Sequence, residues 1–371
     1  MKKILFGITS LTLGGAERVL VDLANELSKT YEVTIFTIYG NGTLEKQLSN
    51  KVKLVTYMPV AYSELSKLEK HIILPLKILL GQKRIYKKKI KSNYDVEIAF
   101  LEGPITRLLS TQNKNTRKIA WIHNDISLVF GKGIKAKLKR KIDEKLYSRY
   151  ETLVFVSKDN LKQFEKTYQK IDVNKKVIYN YINQQTILEK AKEETEEKFA
   201  QKKLNFVTVA RLVPQKGIDR LIHIHSKLIQ DGLDHNIYVI GDGPEREKLQ
   251  KQIQEEKVEN TFRLLGKKEN PYPYIKKADY FCLLSYFEGY GMVLEEAKIL
   301  DKPIIITDTA AREAVENYKK AIIVENSEEG IYHSLKEILK KDKQEVIEIS
   351  TDEKEKNNKK MIEQIRELIE G

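Results

Sequence analysis

Short apolar runs alternate with amphipathic segments along this chain, and the alternation occurs twice. Residues 4–9 read as a strand, residues 16–29 set Val19, Leu20, Leu23 and Leu27 at helical spacing, and residues 31–38 alternate like a second strand. The pattern resumes with 206–210 as strand, 218–231 as helix and 237–240 as strand. It continues with 245–256 as helix, 281–284 as strand, 292–300 as helix and 303–307 as strand. Strands separated by helices pair in parallel, and a parallel sheet needs helices over both faces. A length of 371 residues also exceeds what one hydrophobic core supports. The expectation is an α/β protein of two Rossmann-like domains at 1–187 and 204–345, joined by a charged linker at 188–203. A tail at 346–371 closes with Met361, Ile362, Ile365, Leu368 and Ile369 at helical spacing, which predicts a final helix packed on a neighbour.

Composition narrows the function classes. The single cysteine, Cys282, lies in an apolar run and reads as a buried structural thiol. The basic residues before the first apolar run meet Gly14-Gly15 and a charged helix too soon for a signal peptide. No stretch approaches the roughly 20 apolar residues that span a bilayer. The reading is an intracellular protein, soluble or peripheral on the inner face of the cell membrane.

Lysine and arginine number 66 against 53 acids, a net charge of +13, which favours an anionic partner. Nine of the cations fall between Lys67 and Lys91 (Lys67, Lys70, Lys77, Lys83, Arg84, Lys87, Lys88, Lys89 and Lys91), opposed by Glu69 alone. A second cluster runs from Lys132 to Lys141. Nucleic acid is disfavoured, because no helix-turn-helix, zinc-finger or RNP-like motif accompanies the charge and only Tyr86 interleaves aromatic character. An anionic membrane surface fits both clusters, with the solvated charged face as the plain alternative. No Asp-x-Asp and no His/Cys cluster at ligand spacing occurs, so neither a metal nor a cofactor is implied.

In open α/β sheets ligands bind beyond the carboxyl ends of strands, so chemistry is sought in the loops there. Tyr286-Phe287-Glu288-Gly289-Tyr290-Gly291 joins a strand to a helix that carries Glu296. Gly289 and Gly291 let backbone N–H groups approach an anion at the positive end of the helix, and Glu288 and Glu296 can accept hydrogen bonds from sugar hydroxyls. Arg211 and Lys216, in the loop 210–217, are cations suited to a diphosphate. Gly241-Asp242-Gly243 reads as a turn. In the first half, Gly14-Gly15 opens a helix, and His123 ends an apolar run; each also fits a purely structural role.

Taken together, these segments resemble the family 4 glycosyltransferases over nearly the whole chain. The resemblance implies a retaining enzyme of the GT-B fold, with the two parallel sheets facing across a central cleft. It implies that Glu288 contacts the donor sugar and Glu296 the nucleotide ribose, with Gly289, Tyr290 and Gly291 at the donor. Arg211 and Lys216 would bind the diphosphate, Gly14 and Gly15 would lie beside it, and His123 would stand near the reacting sugar. One segment departs from the family: Thr309-Ala310-Ala311-Arg312-Glu313 keeps the acid without the usual glycine pair, which leaves the donor's identity open.

The expected activity is metal-independent transfer of a hexose from a nucleotide-sugar, UDP for preference, to a lipid-linked glycan of a bacterial capsule or exopolysaccharide. Retention by attack on the leaving-group side is preferred, since no suitable carboxylate pair offers the two-step route. A GT-B epimerase or hydrolase of UDP-sugar, working without acceptor, is the alternative.

Overall fold

A computed structural model describes the chain except residues 13, 67, 91–92, 112–114, 124–133 and 341–351, and except the side chains of 71–72, 74–76, 78–79, 134–139 and 352–359. The chain forms two compact units, Met1–Ile182 with Asn358–Gly371, and Asn183–Asn357.

The first unit holds seven strands: β1 Lys3–Ile8, β2 Glu32–Tyr39, β3 Lys53–Met58, β4 Val96–Ala99, β5 Arg117–Ile122, β6 Thr152–Phe155 and β7 Asn174–Val177. They pair in parallel in the order β3-β2-β1-β4-β5-β6-β7. The second unit holds β8 Leu204–Val209, β9 His235–Ile240, β10 Phe262–Gly266, β11 Tyr280–Leu283, β12 Ile304–Thr307 and β13 Ala321–Val324. These are parallel too, in the order β10-β9-β8-β11-β12-β13. In each sheet the order reverses beside the unit's first strand, between β1 and β4 and between β8 and β11. The crevice at such a reversal is where open α/β sheets bind ligands.

The strands are apolar because both faces are covered. All four residues of β4, β6 and β12 are buried, as are all six of β9. Cys282 is 3 % exposed in β11, where burial pushes its thiol well above the usual range. His225, in the helix Ile218–Gln230, is fully buried.

The units divide at Ile182/Asn183, and the chain end returns to the first unit. The charged stretch expected as a linker is laid along the second unit: Lys268 meets Glu196 at 2.6 Å, Arg263 meets Glu197 at 2.5 Å, and Lys277 donates to Thr195 at 2.8 Å. Its acids serve cations around β10. The final helix, Asp352–Glu370, buries Ile365, Leu368 and Ile369. Its end is tied to the first unit where Glu370 meets Lys2 at 2.9 Å and accepts from the Tyr31 hydroxyl at 2.8 Å. Among the described residues, no helix is long and apolar enough to cross a membrane.

Candidate active site

Two loops flank the reversal in the second sheet, one after β8 and one after β11, and they are bonded to each other. The Tyr286 N–H donates to Gln215 O at 2.9 Å, and Gln215 Nε2 donates to Phe287 O at 3.0 Å. Gly217 makes the approach possible: it has φ +63°, and a Cβ there would lie 2.8 Å from Leu284 O. Across this seam Lys216 Nζ forms an ion pair with Glu288 Oε2, with 18 % and 13 % of the two side chains exposed. Ser285 Oγ lies 3.4 Å from the same carboxylate oxygen. Sequence positions 72 apart thus meet in one half-buried charge pair.

Arg211, at the start of the β8 loop, is exposed and has no side-chain hydrogen bond or ion pair among the described residues. A cation with free donors beside a paired one suits a polyanionic ligand. The turn at Gly241-Asp242-Gly243 abuts this loop. Leu212 N donates to Asp242 O at 3.0 Å, and a Cβ on Gly241 would lie 1.9 Å from Ala210 O. Asp242 Oδ1 accepts from Gly243 N at 2.8 Å, in keeping with a turn.

The two glycines of the β11 loop have different jobs. Gly291 caps the helix Met292–Ile299 at φ +68°, a left-handed conformation that costs other residues about 1 kcal/mol. Gly289 needs no such freedom, since a Cβ there would meet nothing within 4 Å. Tyr290 donates its hydroxyl to Glu295 Oε1 at 2.7 Å, which Lys298 also approaches at 2.8 Å. Glu296 takes another partner, the Tyr272 hydroxyl at 3.3 Å. The alanines of the departing segment sit in the short helix Ala310–Val315, which requires no left-handed residue.

The β11 loop is braced by residues that the sequence did not single out. Arg220 Nη2 donates to Leu284 O at 2.9 Å and to Asn326 Oδ1 at 3.0 Å, and its guanidinium carbon stands 4.2 Å from the centre of the Tyr286 ring. Asn326 Nδ2 donates to Tyr286 O at 2.7 Å, and Thr307 Oγ1 to Ser285 O at 2.7 Å. No local signal marks these residues, because each acts across a turn of the sheet.

In the first unit, Gly14 caps the helix Gly15–Leu27 in extended conformation, and the Glu17 carboxylate lies over it. Burial raises the pKa of Glu17 above the usual carboxylate value. A Cβ on Gly15 would meet nothing within 4 Å. His123 follows β5 with its ring centre 4.6 Å from that of Phe100, and its backbone N–H donates to Glu102. Burial lowers its pKa to about 3, so the ring is neutral at physiological pH. Its Nε2 is buried without a hydrogen-bond partner among the described residues.

Of the basic clusters, Lys67, Lys91 and Lys132 lie outside the described residues, as do the side chains of Lys135, Lys137 and Lys139. Among the described residues, no group of three or more His, Cys, Asp or Glu side chains is placed to hold a metal ion.

Family models cover both units. The model described as Glycosyltransferase Family 4 matches residues 13–186, and Glycosyl transferases group 1 matches 189–368. The chain belongs to glycosyltransferase family 4. This glycosyltransferase is 27% identical over 350 residues, 92% of each chain, to the Campylobacter jejuni N-acetylgalactosamine-N,N'-diacetylbacillosaminyl-diphospho-undecaprenol 4-alpha-N-acetylgalactosaminyltransferase. A second C. jejuni relative, an alpha-1,4-N-acetyl-D-galactosaminyltransferase named for a PP-undecaprenol acceptor, is 26% identical over 80% of this chain and 77% of its own. The fold is that of Anabaena HepE in complex with UDP and glucose (TM-score 0.73, 18% identity, all of both chains). It is likewise that of S. aureus TarM in a complex that includes UDP (TM-score 0.73, 15% identity, all of both chains).

Proposed function

We propose that this glycosyltransferase moves a hexose from a UDP-sugar to a lipid-linked glycan acceptor of a bacterial cell envelope, with retention at the anomeric carbon. The Lys216–Glu288 pair at the sheet reversal carries the reading. Each partner matches a donor contact of the family. An incoming donor exchanges the pair for two new ones: a diphosphate oxygen takes Lys216, and a sugar hydroxyl takes Glu288. Neither charge is left buried alone by that exchange, which would otherwise cost several kcal/mol.

Arg211 is the second cation, free to follow the negative charge that grows on the leaving diphosphate. Glu296 would accept from the ribose, and the N–H groups around Gly289 and Gly291 would face the phosphates. Neutral His123 offers a hydrogen bond to the sugar rather than a charge. With Glu288 engaged by a sugar hydroxyl once the donor is bound, the seam offers no carboxylate pair among the described residues for a two-step route, and attack from the leaving-group side accounts better for retention. The UDP held by HepE and TarM supports the choice of nucleotide, and the undecaprenol acceptors in the names of the two C. jejuni relatives support the acceptor class.

Incubation with UDP-, GDP- and dTDP-sugars and an undecaprenyl-diphosphate-linked saccharide tests this directly. UDP-sugar consumption with a product of unchanged anomeric configuration by NMR is expected. Turnover without acceptor would identify an epimerase or hydrolase instead. Arg211→Ala should lower kcat on the order of 10²-fold, as removal of one transition-state donor does; a rise in KM alone would reduce Arg211 to ground-state binding.

A further inference from the structure

The helix Leu74–Lys89 presents two opposed faces. Its inner face is fixed to the first sheet by a buried polar cluster. Tyr86 donates to Glu97 at 2.5 Å, Lys118 meets the same carboxylate at 2.5 Å, and Lys118 also reaches the Tyr86 hydroxyl at 3.1 Å. Gln82 donates to Arg107 O from the same side, and Ile85 is buried beside it. Positions 82, 85 and 86 are one side of a helix, so the opposite side is turned away from the protein.

That outer side is made of Ile73, Lys77, Leu80, Arg84, Lys87 and Lys88, which recur at three- and four-residue spacing. All are exposed, Leu80 at 84 % and Ile73 at 46 %. Leu68, just upstream, is 58 % exposed. Large aliphatic side chains held in water among cations are an unusual use of a surface. A nucleic acid would gain little from them, since it takes aromatic rings for stacking. An acidic bilayer uses both kinds: cations meet the headgroups, and the aliphatic groups enter the acyl boundary.

We propose that this face docks on an anionic lipid surface with Ile73 and Leu80 inserted into the bilayer interface. The proposal deepens the lipid-linked acceptor reading and rests on it, and it gives the binding a component that salt does not screen. The surrounding lysines act only within the screening length, which falls to about 3 Å at about 1 M salt. Insertion of aliphatic groups persists there, at about fourfold in affinity for each buried methylene.

The test uses the full chain and vesicles of phosphatidylglycerol or phosphatidylcholine that carry no acceptor. Leu80→Trp supplies a reporter, because the single native tryptophan, Trp121, is buried and gives a constant background. Its emission should shift to the blue on phosphatidylglycerol vesicles, and an unmoved emission overturns the proposal. Ile73→Ser with Leu80→Ser should weaken sedimentation with these vesicles by about tenfold or more, since two methylenes alone account for that factor, with the deficit kept at high salt and an unchanged melting temperature. Lys87→Glu with Lys88→Glu should weaken binding at low salt only. Wild-type-like sedimentation of the serine double variant, or tight RNA binding with no vesicle binding, likewise overturns it. Vesicle binding intact in a protein that transfers no sugar would overturn the acceptor reading instead.

Discussion

Three glutamates in one short segment have three different sets of partners. Glu288 is paired with Lys216 at the loop seam, Glu295 is held by Tyr290 and Lys298, and Glu296 accepts from Tyr272. On the proposed reading, Glu288→Gln should cut kcat strongly and leave UDP affinity nearly unchanged, because UDP has no sugar for it to touch. Glu296→Gln should weaken UDP and UDP-sugar together, by about 1.5–3 kcal/mol for a lost charge-assisted hydrogen bond. Glu295→Gln keeps an acceptor for Tyr290 and should change neither. Calorimetric titration of UDP with parallel initial rates separates the three, and lost UDP binding in Glu288→Gln would refute the assignment. His123 makes a further prediction at this scale. With a pKa of about 3 it contributes no limb near its ordinary value of 6.5 to the pH profile of kcat/KM. A His123→Asn enzyme should therefore keep the wild-type profile shape at a lower rate, and a limb lost in the variant would contradict the neutral ring.

Between elements, two buried side-chain networks set the geometry. Arg220 joins the helix Ile218–Gln230 to the β11 loop and to Asn326 after β13. Arg220→Lys keeps the charge but not the fork, so Leu284 O or Asn326 loses its donor and Glu288 its fixed position. A fall in kcat of about tenfold with little change in KM is expected; a lowered melting temperature at normal kcat would make Arg220 merely structural.

The second network is a chain of imidazoles. Leu233 O can only accept, so His235 Nδ1 donates to it at 2.8 Å; His235 Nε2 then accepts from His225 Nδ1 at 2.8 Å, and His225 Nε2 from Thr261 at 2.8 Å. The arrangement requires both rings neutral, and burial lowers their pKa to about 2 for His225 and about 4 for His235. Both values lie below the unfolded value near 6.5, so the unfolded chain binds more protons in acid. Stability is full above about pH 6.5 and is lost as pH falls through that value, by about 2 kcal/mol per histidine at about pH 5. Urea midpoints measured from pH 8 to pH 5 should fall accordingly, and less steeply in His235→Gln; a flat profile would argue against the neutral pair.

These networks mark the limit of what the sequence made legible. The loops after β8 and β11 could be read because glycines, acids and cations gather within a few positions. Arg220 could not, since its partner Asn326 is 106 positions away and a cation in the first turn of a helix looks solvated. The strand β7, Asn174–Val177, has the sequence Asn-Lys-Lys-Val and lacks an apolar run because it is an edge. Inside the first sheet Glu97 and Lys118 neutralise each other, so two strands carry buried charges that a hydropathy pattern counts against them.

At the scale of the whole molecule, one strand order is used twice, but the two units differ in how the chain completes them. The second is continuous in sequence, whereas the first takes in Asn358–Gly371. Burial of Ile365, Leu368 and Ile369 stabilises it by roughly 5 kcal/mol on transfer grounds. Removal of residues 358–371 should therefore expose the first unit to limited proteolysis and leave the second protected, and equal protection of both would show the helix to be dispensable. The same contact orders events during synthesis. Lys2 and Tyr31 leave the ribosome early, but their partner Glu370 emerges only after the entire second unit has been translated. The second unit can close as soon as its own strands are out. The first must wait with its docking surface for that helix uncovered, so at residues/second rates of elongation the earlier-made half is the later to mature, and the nascent chain holds chaperone-accessible apolar surface at its leading end for most of its time on the ribosome.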